Sequence, residues 1–172
     1  MVADPIIIIN MQKYKVALIV GRFQPFHKGH RHLILEGLQA ADKLIIGIGS
    51  INQDNQDNPL NFDQVKQLLE KFFKQEKLED KLIGIYGIPD FFNDKKWGDF
   101  VETKLPPFNV IIGNNDWTNR ILKSLGYPII EVPFFKRELY EGRRIRDLFR
   151  TGKSWMSRVP RYLAIQTKKL LH

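Results

Sequence analysis

A regular alternation of short strand-like runs with longer helix-like runs constrains the fold most. The strand-like runs are short and apolar on both faces, as in buried parallel strands, and cover 16–20, 44–49, 82–88, 110–112 and 129–132. The segments between them carry apolar residues at helical spacing, and predict helices over about 28–41, 62–73, 95–104, 116–125, 142–151 and 157–171. This alternation predicts an α/β fold with a doubly wound, Rossmann-like, parallel five-stranded sheet flanked by helices.

The length of the chain, 172 residues, fits one domain with its own core. We expect a single domain over 14–172, preceded by an N-terminal extension over 1–13. Ile6–Ile9 could be an added edge strand or pack on a neighbour, or the segment could be an upstream extension before a start at Met11, and the sequence leaves these readings open. The absence of cysteine excludes disulfides and thiol catalysis. Without a membrane-length apolar run or a signal peptide, we expect a cytoplasmic protein that contacts no membrane.

The net charge of +8 comes entirely from the last part of the chain. Residues 1–135 hold 16 basic and 16 acidic side chains, whereas residues 136–172 hold 11 and 3. A solvated helix face, a polyphosphate site and a nucleic-acid surface would each give this pattern. We do not expect nucleic-acid binding, because no nucleic-acid-binding motif accompanies the charge.

The sequence GRFQPFHKGH, residues 21–30, follows the first predicted strand and opens the first predicted helix. It places His27 and His30 at a helix N-terminus, where free backbone N–H groups and the helix dipole attract anions. The small Gly21 allows a ligand to approach the backbone closely, and Gly29 keeps the first helical turn uncluttered. These features predict phosphate binding. A metal site that adds His32 is disfavoured, because His32 would point away from His30 on a helix, and we expect no protein-bound metal.

The HxGH part of this turn resembles that of the nucleotidyltransferases, and the longer form resembles the archaeal-type nicotinamide mononucleotide (NMN) adenylyltransferases. Further short motifs occur in the order of that family: Ile46–Ser50, Pro89-Asp90 with Asn93 and Trp97, Pro106–Phe108 before Gly113-Asn114, Tyr140 with Gly142, Ile145 and Arg146, and then Trp155, Val159 and Pro160. The resemblance covers residues 15–170.

The resemblance implies transfer of AMP from ATP to NMN, which yields NAD and pyrophosphate. It implies that His27 and His30 bind the ATP phosphates, with His30 stabilising charge at the α-phosphoryl group. Arg22 and Arg146 would hold phosphate oxygens. The other implied binding residues are Gly21, Phe23, Gln24, Gly29, Ser50, Asp90, Asn93, Trp97, Gly113, Asn114 and Arg143. Mg²⁺ would accompany ATP, and the chain is expected to form a homo-oligomer.

Two of these residues have an alternative interpretation in the sequence. The resemblance implies that Trp97 stacks on nicotinamide and that Asp90 lies near its carboxamide, but a tryptophan is more often a core residue. Likewise, Arg146 could be an ordinary surface arginine.

The chain also departs from the family pattern. The usual SGTxIR motif is here Glu141–Arg146, which lacks two hydroxyls that would cap the helix, and its Glu141 would repel a triphosphate. Position 94 is Asp where many members have Asn. The departures leave two alternatives open: a sister enzyme acting on nicotinate mononucleotide, phosphopantetheine or a flavin nucleotide, and a regulatory module that binds nucleotide without turnover.

Overall fold

The computed structural model describes residues 13–172, in which five parallel strands form one sheet between two layers of helices. The strands are β1 (Tyr14–Gly21), β2 (Ala41–Gly49), β3 (Leu82–Ile88), β4 (Val110–Gly113) and β5 (Ile129–Glu131), in the order β3-β2-β1-β4-β5. The predicted doubly wound α/β fold is therefore confirmed. The segment Ile6–Ile9, for which the sequence leaves several readings open, lies outside the described residues.

In the described part of the chain, six α-helices connect and flank the strands. They are α1 (Lys28–Ala40), α2 (Phe62–Gln75), α3 (Asp94–Lys104), α4 (Asp116–Ser124), α5 (Gly142–Arg150) and α6 (Ala164–Leu171). Within residues 13–172, none of the helices has the length and apolar character needed to cross a membrane.

The boundaries differ from the prediction by three residues or more in two places. The helix predicted over 157–171 is wrong in its first half, where two 3₁₀ turns, Met156–Arg158 and Arg161–Leu163, flank Pro160. Proline lacks the N–H that a continuous helix would use there. In addition, β2 starts at Ala41, directly after α1, because Ala41 already pairs with Tyr14 of β1.

Apolar side chains fill both spaces between the sheet and the helices. On one face, Ile34 of α1 and Phe72 of α2 are fully buried in the larger core. On the other face, Trp97 and Val101 of α3 pack with Leu122 of α4. The connections leave the neighbouring strands β1 and β4 toward opposite faces of the sheet, which opens a crevice at their carboxyl ends.

Candidate active site

A cavity of about 1050 Å³ opens at the carboxyl ends of the strands. Its walls come from the segments that follow β1, β2, β3 and β4, and from α5 and the segment before it. All the predicted site residues line this cavity except Gly113. Gly113 is buried at the end of β4, and a Cβ there would lie 3.0 Å from Oδ1 of Asn119. The glycine makes room for Asn119, and the role of Gly113 as a binding residue stays a prediction.

The first three strands each lead into a residue with left-handed backbone geometry in the cavity wall. The φ angles are 54° at Phe23, 57° at Ser50 and 51° at Phe92. Non-glycine residues rarely adopt this conformation, and such residues cluster at functional sites. Three of the five non-glycine residues with positive φ within residues 13–172 therefore lie in the cavity wall.

The two histidines of the HxGH turn interlock through their Nδ1 atoms. Nδ1 of His27 accepts hydrogen bonds from the backbone N–H of Gly29 at 3.1 Å and of His30 at 3.4 Å, and thereby caps α1. Nδ1 of His30 accepts in turn from the backbone N–H of His27 at 3.2 Å. Each Nδ1 is thus an acceptor, so the proton of each neutral ring lies on Nε2, which can donate to a ligand.

Burial keeps both imidazoles neutral. Desolvation lowers the pKa of His27 to about 3, and it also lowers the pKa of His30 well below its ordinary value, with a smaller contribution from the charge of His27. The ring of His30 lies 3.6 Å from that of His27 and 4.7 Å from that of Phe23, measured between ring centroids. At neutral pH the pair therefore offers fixed N–H donors, and positive charge must come from elsewhere.

Two glycines allow the close approaches that shape this turn. A Cβ on Gly29 would lie 2.9 Å from Cε1 of His27 and 3.2 Å from the carbonyl oxygen of Tyr140. A Cβ on Gly142 would lie 2.9 Å from the carbonyl oxygen of Gln24. Glycine at these positions brings α5 against the HxGH turn.

Arg146 supplies a buried positive charge beside the histidines. Its side chain is 4% exposed, Nη1 donates to the carbonyl oxygen of Gln24 at 2.8 Å, and Nη2 lies 2.6 Å from Oδ1 of Asp57. Burial lowers the pKa of Arg146, and the hydrogen bond and charge of Asp57 offset only part of that shift. The surface-residue alternative for Arg146 is therefore wrong. Its buried Nε has no partner among the described residues.

The loop between β2 and α2 is held against this arginine by polar contacts. The hydrogen bond and charge of Arg146 lower the pKa of the exposed Asp57 carboxyl. Arg22 donates to Oδ1 of Asn58 at 3.4 Å, and Arg150 donates to the carbonyl oxygen of Gln56. The Asp57 carboxylate thus occupies a position on the guanidinium that a phosphate oxygen could take.

The N-terminus of α5 has no side-chain cap, as the missing hydroxyls of the motif predicted. Glu141 is the N-cap residue and makes no capping hydrogen bond. Its carboxylate instead pairs with Arg144 at 3.1 Å and with Arg137 at 3.7 Å. Two arginines therefore offset the repulsion that Glu141 would exert on a phosphate.

The other half of the cavity is aromatic and polar. Asp90 accepts from Oγ of Ser50 at 3.0 Å, and the side chain of Asn52 makes two hydrogen bonds, of 2.8 and 3.0 Å, to the Asp90 backbone. Trp97 lines the cavity but is only 2% exposed, with its ring centroid 5.0 Å from that of Trp117. Trp97 is thus a core residue that also touches the cavity. Asn93 lines the cavity as well, and its side chain caps α3.

Several residues of the wall were not predicted from the sequence. They include Gln56, Asp57, Asn115, Trp117, Thr118, Phe134, Phe135 and Arg150. Most follow the ends of β2, β4 or β5, which is the signal that could have found them. His32 is not among the lining residues and stacks on Phe135 with ring centroids 4.4 Å apart.

Within residues 13–172, no group of three or more histidine, cysteine, aspartate and glutamate side chains is placed to hold a metal ion.

A doubly wound parallel sheet with an HxGH turn after its first strand defines the protein as a nucleotidyltransferase. The cytidylyltransferase-like family matches residues 18–86. The nicotinamide-nucleotide adenylyltransferase of Archaeoglobus fulgidus is 32% identical over 90% of this chain and 91% of its own length. That of Saccharolobus solfataricus is 33% identical over 84% of each chain. The chain belongs to the nicotinamide-nucleotide adenylyltransferase family and is a nucleotidyltransferase enzyme.

Solved structures show the same likeness. A bifunctional NMN adenylyltransferase/ADP ribose pyrophosphatase from Francisella tularensis is 32% identical, with a TM-score of 0.70 over 82% of this chain and 44% of that protein. A structure of such a protein from the same organism, complexed with AMP and a manganese ion, is 27% identical, with a TM-score of 0.72 over 92% and 52% of the two chains. This chain thus spans about half the length of those bifunctional proteins.

Proposed function

We propose that this enzyme transfers AMP from ATP to NMN and releases NAD and pyrophosphate. The observation that carries the proposal is the pairing, in one cavity, of a phosphate-binding half with an aromatic half. The first contains His27, His30 and Arg146, and the second contains Asp90 and the tryptophans. The relatives named nicotinamide-nucleotide adenylyltransferases support the same reaction.

In the proposed reaction, a 5′-phosphate oxygen of NMN attacks the α-phosphorus of ATP. The bond from the α-phosphorus to the oxygen that bridges to the β-phosphate breaks, and that oxygen leaves with pyrophosphate. Such a transfer needs alignment of two anions and stabilisation of charge on phosphoryl oxygens, rather than covalent help from the protein.

The residues of the phosphate half divide this task. Nε2–H of His27 and of His30 donate to ATP phosphate oxygens, with His30 at the α-phosphoryl group, and the N-terminus of α1 adds its dipole. Arg146 holds the leaving β- and γ-phosphates, and Arg22 and Arg143 lie at the same side of the cavity. Because the histidines are neutral, the arginines carry the positive charge.

We propose that Mg²⁺ enters with ATP, as the MgATP substrate, because the described residues form no metal cluster of their own. The manganese ion bound with AMP in the Francisella structure supports the use of a divalent cation.

The acceptor half favours a carboxamide over a carboxylate. The Asp90 side chain, oriented by Ser50, can accept a hydrogen bond from the carboxamide N–H₂ of nicotinamide. The carboxylate of nicotinate offers no such donor and would be repelled by Asp90. This argument favours NMN over nicotinate mononucleotide.

An acceptor panel tests the proposal. Purified enzyme with MgATP would be given NMN, nicotinate mononucleotide, phosphopantetheine or flavin mononucleotide, and pyrophosphate release would be measured for each. We expect NMN to give the highest kcat/KM. In Asp90→Asn, the ratio of kcat/KM for NMN to that for nicotinate mononucleotide should be smaller than in the wild type. A higher kcat/KM with another acceptor would identify a sister enzyme. If the protein binds ATP but releases no pyrophosphate with any of the acceptors, the result would favour the regulatory module.

Assembly as a homo-oligomer and a cytoplasmic location stay predictions. Light scattering on the purified protein tests the first, and cell fractionation tests the second.

A further inference from the structure

The loop between β2 and α2 touches both halves of the cavity. Near its start, the side chain of Asn52 holds the backbone of Asp90 with two hydrogen bonds, of 2.8 and 3.0 Å. Farther along, Oδ1 of Asp57 lies 2.6 Å from Nη2 of Arg146. This loop, residues 51–60, is here called the bridging loop, because it joins a residue of the acceptor half to a residue of the phosphate half.

Two turns stiffen the bridging loop between these contacts. In the first turn, the backbone N–H of Gln53 donates to the carbonyl oxygen of Ser50 at 3.0 Å. In the second turn, Oδ1 of Asn55 accepts from the backbone N–H of Asp57 at 3.0 Å. Only Asp54 lies between the two turns. A displacement of the second turn is therefore transmitted to the first, because a single residue joins them.

The far end of the bridging loop is fixed. Nε2 of Gln24 donates to the carbonyl oxygen of Leu60 at 2.7 Å, and the backbone N–H of Leu60 donates to Oε1 of Gln24 at 2.9 Å. The Leu60 side chain is buried in the larger core. When Asp57 moves, the part of the loop that precedes it must take up the movement, and that part contains Asn52.

The ion pair of Asp57 and Arg146 can exchange its anion. The Asp57 side chain is 65% exposed, whereas that of Arg146 is 4% exposed. The carboxylate can therefore leave into water at little cost, but the buried guanidinium requires a replacement anion. A triphosphate, which carries more negative charge than one carboxylate, supplies that replacement.

We propose that the bridging loop couples the binding of the two substrates. ATP phosphate displaces Asp57 from Arg146, the second turn shifts, and the two hydrogen bonds by which Asn52 places Asp90 loosen. The inference rests on the proposed function and concerns communication between its two subsites. Asn52 is thus a positioning residue for Asp90, and ATP lowers the affinity for NMN. Because coupling between two binding sites is reciprocal, NMN lowers the affinity for ATP by the same factor.

Calorimetry of NMN binding tests the coupling without turnover. NMN is titrated into the protein with and without saturating magnesium α,β-methylene-ATP, an analogue whose α–β bridge blocks transfer of AMP. In the wild type, the analogue should raise the Kd for NMN about fivefold, which is the lower end of coupling between sites. In Asp57→Asn and in Asn52→Ala, the Kd should already be raised without the analogue, and the analogue should change it less than about twofold.

Asp54→Asn is the matched control, because it removes the same charge from the same loop. Asp54 is exposed and forms no ion pair within residues 13–172. This variant should keep the coupling of the wild type. Direct repulsion between the phosphates of the two substrates would also weaken NMN binding, but it would do so equally in all the variants.

The outcomes separate the coupling from the proposed function. The inference is overturned if the analogue leaves the Kd of the wild type unchanged, if it raises the Kd equally in the wild type and in Asp57→Asn, or if Asp54→Asn loses the coupling. NAD formation by the wild type upholds the proposed function in each of these cases. A wild type that neither binds NMN nor forms NAD refutes the proposed function and this inference with it. If Asn52→Ala does not fold, Asp57→Asn decides alone.

Discussion

Replacing His27 by asparagine and by glutamine separates two tasks that one imidazole performs. Its Nδ1 caps α1 by accepting from the backbone N–H of Gly29 and of His30, and its Nε2–H is free to donate to phosphate. The amide oxygen of asparagine can take the place of Nδ1, whereas the amide nitrogen of glutamine can take the place of Nε2. His27→Asn therefore keeps the cap and loses the donor, and His27→Gln does the reverse.

The structure sets the scale of each loss. Removal of one donor that stabilises transition-state charge lowers kcat by about 10²–10³-fold, which is the expectation for His27→Asn. Loss of a helix N-cap costs about 1 kcal/mol, so His27→Gln should unfold about 2–4 °C below the wild type, given the length of the chain. His27→Gln should retain clearly more turnover than His27→Asn.

The assay is paired: NAD formation at saturating substrates and the thermal midpoint, both for each variant. Asn61→Ala is the matched control, because Asn61 caps α2 by accepting from the N–H of Gln64 at 2.9 Å and does not line the cavity. It should lower Tm by a similar amount and leave kcat unchanged. The reasoning is refuted if His27→Asn lowers Tm as much as His27→Gln, or if the glutamine variant is the less active of the two.

Three further predictions concern the same site. Gly142→Ala should lower kcat/KM for ATP, because its Cβ would lie 2.9 Å from the carbonyl oxygen of Gln24 and push α5 away; unchanged kinetics would contradict this contact. The free energy of unfolding should fall as the pH drops from about 6.5 to about 3, because burial lowers the pKa of both histidines and only the unfolded chain takes up those protons. The fall should reach up to about 1.4 kcal/mol per pH unit for each histidine. Urea titrations across that range measure the free energy, and a flat profile would refute the prediction. Asp57→Asn should tighten ATP binding, as measured by calorimetry, because it frees Arg146. The control variant Asp63→Asn in α2 should bind ATP as the wild type does. Weaker ATP binding by Asp57→Asn would mean that Asp57 helps to hold the nucleotide.

Local patterns of the sequence predicted that His27 and His30 lie together at the sheet edge, and both line the cavity. His27 and His30 are adjacent because they lie within one turn of the chain, and a strand followed by a helix fixes their place at the sheet edge. Only the family resemblance predicted a role for Arg146 in this site. Its contact with the HxGH turn is to Gln24, which lies 122 positions earlier in the chain.

The sequence could not reveal contacts that depend on how distant segments meet. Asp57 pairs with Arg146 because the loop before α2 folds over α5, and no local pattern announces that pairing. Trp97 has the spacing of a ligand-binding residue, but packing between α3 and the sheet buries it and leaves Trp117 exposed instead.

The most direct test of the central claim uses ATP labelled with ³²P at the α-phosphorus and measures transfer of the label to NAD. The wild-type enzyme would be incubated with this ATP, magnesium and NMN, and labelled NAD and pyrophosphate would be counted, with His30→Ala as the control. The account predicts one labelled NAD for each pyrophosphate released and a fall of about 10²–10³-fold in rate for the folded variant. Label that stays in ATP or appears only as free AMP, or a variant with near-normal turnover, would contradict it.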